Sequence, residues 1–297
     1  MDERGRDTGF AFVREPVRSE HRTVFCALAA RHRMVGLCSC GPFPLYHEGF
    51  RDIWVDERRA PEDGWRSDFV AVCAAWCHCF REPGRFLPPN RPRLLFSNSD
   101  FTDIDRVRAL GAPDGPPGKR WDVLYVCQPG HRAAVAKDWE LAKACLRRLC
   151  AELGLRVLVV GRADVPDLPG LEVSAPVPWA DYLGLVARSR MVLVPHRLDA
   201  SPRALPEALA LDVPVLVRAG LLGGWKYVGP ATGAFFEDDG DVGDAAARLL
   251  GQDVAPAAWL AAHYGRERAE RRLADFLRTL DADLPDERVR VAGRLGP

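Results

Sequence analysis

No apolar run in this sequence approaches the ~20 residues needed to cross a bilayer. The longest, FVAVCAAWC, is interrupted soon after by His78 and Arg81. The N-terminus, MDERGRDTGF, is charged and lacks the apolar segment of a secretory signal. An excess of either charge is also missing: Lys plus Arg number 41 and Asp plus Glu number 41, for a formal net charge of zero. Such a balance leaves no electrostatic footprint for gripping nucleic acid through its phosphates. There is no internal repeat of solenoid length. The nine cysteines are an odd number without a secretory context, which argues against a disulfide framework. Neither Cys38-Ser39-Cys40 nor Cys77-His78-Cys79 has the spacing of a zinc site. Read as part of a helix, Cys73 and Cys77 share one apolar face. The expectation is a soluble cytoplasmic protein with no transmembrane segment, no nucleic-acid partner and no metal.

What is present is a globular composition, 47% apolar and 28% charged, in 297 residues, room for two domains. The stretch GAPDGPPGKR at 111–120 has three prolines and three glycines, and reads as an interdomain linker. It divides an N-terminal domain, 1–112, from a C-terminal domain, 119–297. After it come short apolar runs of strand type: WDVLYVC (121–127), LRVLVVG (155–161), LEVSA (171–175), MVLVP (191–195), VPVLV (213–217) and FFE (235–237). Helices are predicted between them at 138–153, stopped by Gly154, and at 179–189, 202–211, 241–251 and 256–280. Continuous apolar strands alternating with helices imply a parallel sheet covered on both faces. The first 110 residues alternate less clearly. GFAFV (9–13), MVGLC (34–38), DIWV (52–55) and RLLFS (93–97) read as strands, and HRTVFCALAARH (21–32) and SDFVAVCAAWCHCF (67–80) as helices. The fold class is therefore α/β, with two doubly wound, Rossmann-like domains of which the first is small.

In an open parallel sheet, ligands bind beyond the C-terminal strand ends, where the strand order reverses. There the sequence reads DASPRALPEALALDVPVLV, residues 199–217. Ser201 is suited to an N-cap and Pro202 to a first helical turn, so the backbone from Asp199 and Ala200 to Arg203 faces the crevice with the positive end of a helix dipole. That is a phosphate site; Arg203 either reaches the phosphate or is a surface charge. Glu207 lies among alanines and leucines less than two turns in. A carboxylate there accepts hydrogen bonds from two vicinal hydroxyls, which a ribose presents. Together the features suggest a nucleoside diphosphate.

The same stretch resembles the C-terminal signature of retaining GT-B glycosyltransferases of the family 4-like group, which has two acidic residues eight positions apart. Here these are Asp199 and Glu207; the family has Glu at the first, so Asp199 departs by one methylene. The resemblance implies that Glu207 binds the donor ribose and Asp199 lies near the donor sugar or its phosphate. The family's Arg and Lys, five apart, are matched by Arg132 and Lys137 in QPGHRAAVAKDWE, implying cations that neutralise the donor diphosphate. VLVVGR (157–162) and WKYVGPATGAFFEDDGDVGDAAARLL (225–250) extend the resemblance over roughly residues 119–252. GGWKYV with DASPRALPEAL is also similar to short glycosyltransferases of large DNA viruses of algae and amoebae.

The implied function is transfer of a sugar from a nucleotide sugar, a UDP-sugar and UDP-xylose among them, to a glycan or glycoprotein acceptor, with no cofactor and no metal. An inverting reaction needs a base from the N-terminal half, where His47, Asp100 and Asp103 are candidates; a retaining one needs none. The D-x-D triplets at 103–105 and 281–283 read as loop or capping acids. Two rival readings stay open: a non-catalytic nucleotide-sugar-binding scaffold, consistent with the short N-terminal half, and a nucleotide-sugar epimerase.

Overall fold

The structure, a computed structural model, describes residues 7–14, 21–38, 72–115, 117–162 and 164–281. The chain forms two compact units, residues 1–101 with 267–297, and residues 102–266. Among the described residues the first unit holds a parallel sheet in the order β1 (Phe10–Val13), β2 (Arg33–Leu37), β3 (Cys73–His78) and β4 (Arg93–Leu95). Helix Arg22–Ala29 lies between β1 and β2 in the chain. Helix Arg266–Leu280, from the far end of the chain, closes this core. Its Ala269, Leu273, Phe276 and Leu277 recur at helical spacing and join Phe10, Val35, Ala75, Cys77 and Phe96 in one cluster.

Two expectations for this unit change. Within the run SDFVAVCAAWCHCF, expected as a helix, Cys73–His78 is strand β3, paired on both sides by β2 and β4. A strand buried on both faces shows no alternation, so its apolar run looks like a buried helix until its neighbours are known. Burial also pushes the Cys73 thiol up to about 12, leaving it an inert core group. The second change concerns Asp100, which is fully buried and structural. Its carboxylate accepts from Ser97 N–H (3.1 Å) and faces Arg272 at 3.8 Å, while Arg272 donates to the Leu95 carbonyl (2.7 Å). The strand expected at 52–55 lies outside the described residues.

The second unit carries a six-stranded parallel sheet. Its strands are β5 (Trp121–Val126), β6 (Val157–Val160), β7 (Leu171–Ser174), β8 (Ser189–Val194), β9 (Val215–Arg218) and β10 (Gly233–Phe236), in the order β10-β9-β8-β5-β6-β7. Successive side chains point to opposite faces, and both faces are packed. Leu124, Val192, Val194, Val215 and Val217 meet helices Trp179–Ala187 and Ala204–Ala210. Val123, Tyr125, Met191, Leu193 and Leu216 meet helices Trp139–Arg147 and Val242–Leu250. The chain winds outward from β5 to β7, then returns to place β8 on the other side of β5. That reversal puts the crevice beyond the ends of β5 and β8.

The division of the chain differs from the one expected at 111–120. Helix Ile104–Gly111 belongs to the second unit, where a Cβ at Gly111 would lie 2.7 Å from Leu211 and 3.1 Å from Leu183. The Pro/Gly stretch is thus an internal loop leading into β5. The helix expected at 256–280 is two helices, Pro256–His263 and Arg266–Leu280, separated at Gly265, whose φ of +108° suits glycine. The first belongs to the second unit, and the other, from Glu267 onward, to the first unit. Helix Trp139–Arg147 continues as a π-helical turn, Arg148–Glu152, and stops at Gly154 (φ +64°) as its sequence predicts. Among the described residues no helix is long and apolar enough to cross a membrane.

Candidate functional site

Beyond β8 the chain runs through Pro195 and His196 to Pro202 before helix Ala204–Ala210 begins. This helix starts later than the 202–211 read from sequence, and Ser201 does not cap it. Arg203 holds the cap position, without a side-chain cap, and the Ser201 N–H instead turns back to Asp199 Oδ1 at 3.2 Å. A carboxylate two residues away competes for that N–H, which is how Asp favours local turns. The loop is braced from behind. Leu222 N–H donates to the Arg197 carbonyl (3.0 Å) and Gly223 N–H to the Asp199 carbonyl (3.1 Å). A Cβ on Gly223 would lie 2.0 Å from the Ala200 carbonyl oxygen, so only glycine permits this approach.

Glu207 sits on the first turns of helix Ala204–Ala210 and is 8% exposed. Its Oε1 accepts the indole N–H of Trp179 at 3.0 Å. Burial pushes its carboxyl up to about 7, against the Trp179 hydrogen bond and the charges of Arg203 and Lys137. Trp179 is 40% exposed and lies under the Arg106 guanidinium, 5.3 Å from the ring centroid.

Lys137 arrives from the opposite side of the switch point. The segment after β5, expected to be a loop, forms a short helix His131–Ala136 that ends at Lys137. The Ala136 carbonyl accepts from Leu198 N–H (3.2 Å), which ties this turn to the loop beyond β8. The ammonium acts electrostatically on His196, Asp199 and Glu207 alike. His196 is 1% exposed; burial and Lys137 together lower its pKa, against the pull of Asp199. Burial raises the Asp199 carboxyl, but its bonds to His196 and Ser201 and the charge of Lys137 hold it below the usual range. His196 is therefore neutral and Asp199 ionised. The carboxylate can only accept, so His196 Nδ1 donates to Asp199 Oδ2 (3.2 Å). Nε2 is left as a buried acceptor with no hydrogen-bond partner among the described residues.

Lys137, Asp199, Ala200, Ser201, Arg203 and Glu207 thus all lie on the segments that follow the C-terminal ends of β5 and β8. Arg132 lies on helix His131–Ala136, five residues before Lys137. His47 lies outside the described residues. Asp103 caps helix Ile104–Gly111 by accepting from Arg106 N–H (3.1 Å), and it pairs with Arg266 at 3.4 Å. Asp241 accepts from the N–H groups of Glu237 (2.9 Å) and Asp238 (3.1 Å), bracing the turn that leads into helix Val242–Leu250 without a side-chain cap on the helix itself. Sequence reasoning missed Trp179 and His196. An aromatic at a helix start and a histidine directly after an apolar strand were the available signals.

No protein-family model matches the sequence, and comparison with curated proteins gives no match. Solved structures do match. Sucrose-phosphate synthase from Thermosynechococcus elongatus aligns with a TM-score of 0.54 and 15% identity, over 88% of this chain and 71% of that one. The GtfA/B complex gives 0.58 and 12% identity, over 92% and 57%. The pneumococcal O-GlcNAc transferase GtfA, solved with UDP and GlcNAc, gives 0.52 and 10% identity, over 88% and 55%. The fold is GT-B. At these identities the likeness concerns architecture, and the chain spans 57% and 55% of the length of the last two neighbours. The expected α/β class with two parallel sheets is met in this GT-B fold.

Proposed function

We propose that this chain is a glycosyltransferase that takes a sugar from a nucleoside diphosphate sugar, with UDP-sugars the first donors to test. The observation that carries the reading is the buried Glu207 carboxylate at the switch point, within the field of Lys137, on the helix that follows the loop holding the Asp199–His196 pair. A carboxylate this buried needs a partner for its charged form, and the two hydroxyls of a ribose supply one. One oxygen is engaged by Trp179, and the ribose takes the other. Lys137, with Arg132 as second cation, faces the diphosphate, and Asp199 lies toward the donor sugar. Charge grows on the departing diphosphate in the transition state, so fixed cations there raise the rate as well as the affinity. The cations perform the neutralisation, and turnover is expected to survive chelation by EDTA. The UDP bound in the pneumococcal neighbour supports uridine as the first base, and the viral resemblance adds UDP-xylose to the panel.

The test is thermal unfolding against UDP-, GDP-, ADP- and dTDP-sugars. A donor at 100 times its Kd stabilises the native state by ~2.7 kcal/mol, a measurable rise in melting temperature, which Glu207→Ala should abolish. No shift with any nucleotide sinks the donor assignment and leaves a scaffold as the better reading. Donor turnover without acceptor then separates the classes: a transferase slowly frees sugar and nucleotide, an epimerase yields a new nucleotide sugar, and a scaffold releases nothing.

A further inference from the structure

Lys137 lies between two anchored neighbours. Before it, the Ala136 carbonyl is held by Leu198 N–H. After it, Asp138 adopts φ 49° and ψ 67°, the left-handed region that a side chain with a Cβ disfavours. Asp138 is kept there by its own contacts. Its N–H donates to the Val135 carbonyl (3.3 Å), and its Oδ1 accepts from Leu141 N–H (3.3 Å), capping helix Trp139–Arg147. Its Oδ2 accepts from Arg218 Nη1 at 2.6 Å. A helix cap needs only the first carboxylate oxygen. The second reaches the last residue of β9, in a pair whose side chains are only 23% and 27% exposed. The other described non-glycine residue with positive φ, Asp212, is held differently, its Oδ1 accepting from Ala257 N–H (3.0 Å).

We propose that Arg218 is a positioning residue: through Asp138 it locks the left-handed turn that aims Lys137 at His196, Asp199 and Glu207. Arg218 touches none of these groups in its ion pair and acts only through the backbone of its partner. Its effect on turnover rests on the reading of Lys137 as a diphosphate ligand, whereas the lock itself belongs to the unliganded protein. Glycine adopts the left-handed region without support, so a glycine at 138 makes Arg218 dispensable, while alanine keeps the Cβ and loses the anchor.

The experiment compares Arg218→Met alone, with Asp138→Gly, and with Asp138→Ala. Amide hydrogen exchange at Leu198 is read by NMR without ligand, and UDP affinity by calorimetry. Arg218→Met should speed Leu198 exchange by about tenfold and weaken UDP by a similar factor. Adding Asp138→Gly should restore both, and adding Asp138→Ala should restore neither. An ion pair that merely stabilises the fold would leave the glycine and alanine doubles equally impaired, and that result overturns the proposal. So does unchanged Leu198 exchange in Arg218→Met. If exchange follows the expected pattern while the wild type binds no UDP, the lock stands and the donor reading falls.

Discussion

Replacing Glu207 by Gln should remove a pH-dependent loss of stability. Burial moves the carboxyl from its ordinary 4.5 to about 7, so the native state holds that proton more tightly than the unfolded chain. Stability is then greatest below the window from 4.5 to 7 and falls as the pH rises through it. The difference, 7 minus 4.5, at ~1.4 kcal/mol per unit gives about 3 to 4 kcal/mol across the whole window. Roughly 2 to 3 kcal/mol of this falls between pH 5 and pH 8; with ~2 °C per kcal/mol for a chain of this size, the wild-type melting temperature should fall ~5 °C further than that of Glu207→Gln over that range. His196 and Asp199 act in the opposite sense. Their depressed values mean stability lost on acidification, His196 below its ordinary 6.5 and Asp199 below 3.8. Both are shared by the two proteins and cancel in the difference curve. Calorimetric melts at pH 5, 6, 7 and 8 give that curve, and a flat one refutes the reasoning. A ribose that donates to the carboxylate favours its charged form, so UDP binding near neutral pH should also release a proton. Calorimetry in buffers of different ionisation enthalpy reads that proton, and its absence rules out the contact.

Lys137→Ala should lower donor hydrolysis by at least ~100-fold, the effect of losing one preorganised donor at a developing anion; unchanged turnover in the folded variant removes Lys137 from the mechanism. Trp179→Phe takes one hydrogen bond from the Glu207 carboxylate, so the midpoint of the stability difference curve should move to higher pH, and an unmoved midpoint denies the indole that role. Gly223→Ala forces a Cβ against the Ala200 carbonyl oxygen, where it would lie 2.0 Å away. Displacing that loop should cut donor hydrolysis by about 100-fold, whereas Gly229→Ala, with nothing within 4 Å of its Cβ, should leave it intact; equal effects would show that the brace is irrelevant.

Much of the second unit is written in short windows of sequence. The apolar runs that became β5, β6, β8 and β9, the stop at Gly154 and the turn at Gly161 all follow from what a few adjacent residues can do. Gly161, at φ +96°, would set a Cβ 2.8 Å from the Cys127 carbonyl oxygen. Glu207 too was visible, because a carboxylate among alanines and leucines on a buried helix demands a reason. Periodicity reports a residue's neighbours along the chain, and it fails where the deciding neighbour is distant. Cys73–His78, read as part of a helix, became a strand because β2 and β4 flank it. Helix Arg266–Leu280 found its apolar partners on strands more than 150 positions earlier. The Pro/Gly stretch at 111–120 looked like a linker, yet helix Ile104–Gly111 before it packs on Leu183 and Leu211. Trp179 meets Glu207 across 28 positions and Arg218 meets Asp138 across 80. The sequence alone determined which residues could bear a buried charge or a special turn. Tertiary structure decided what each one faces, because burial and the field of a neighbouring charge depend on contacts that no local window contains.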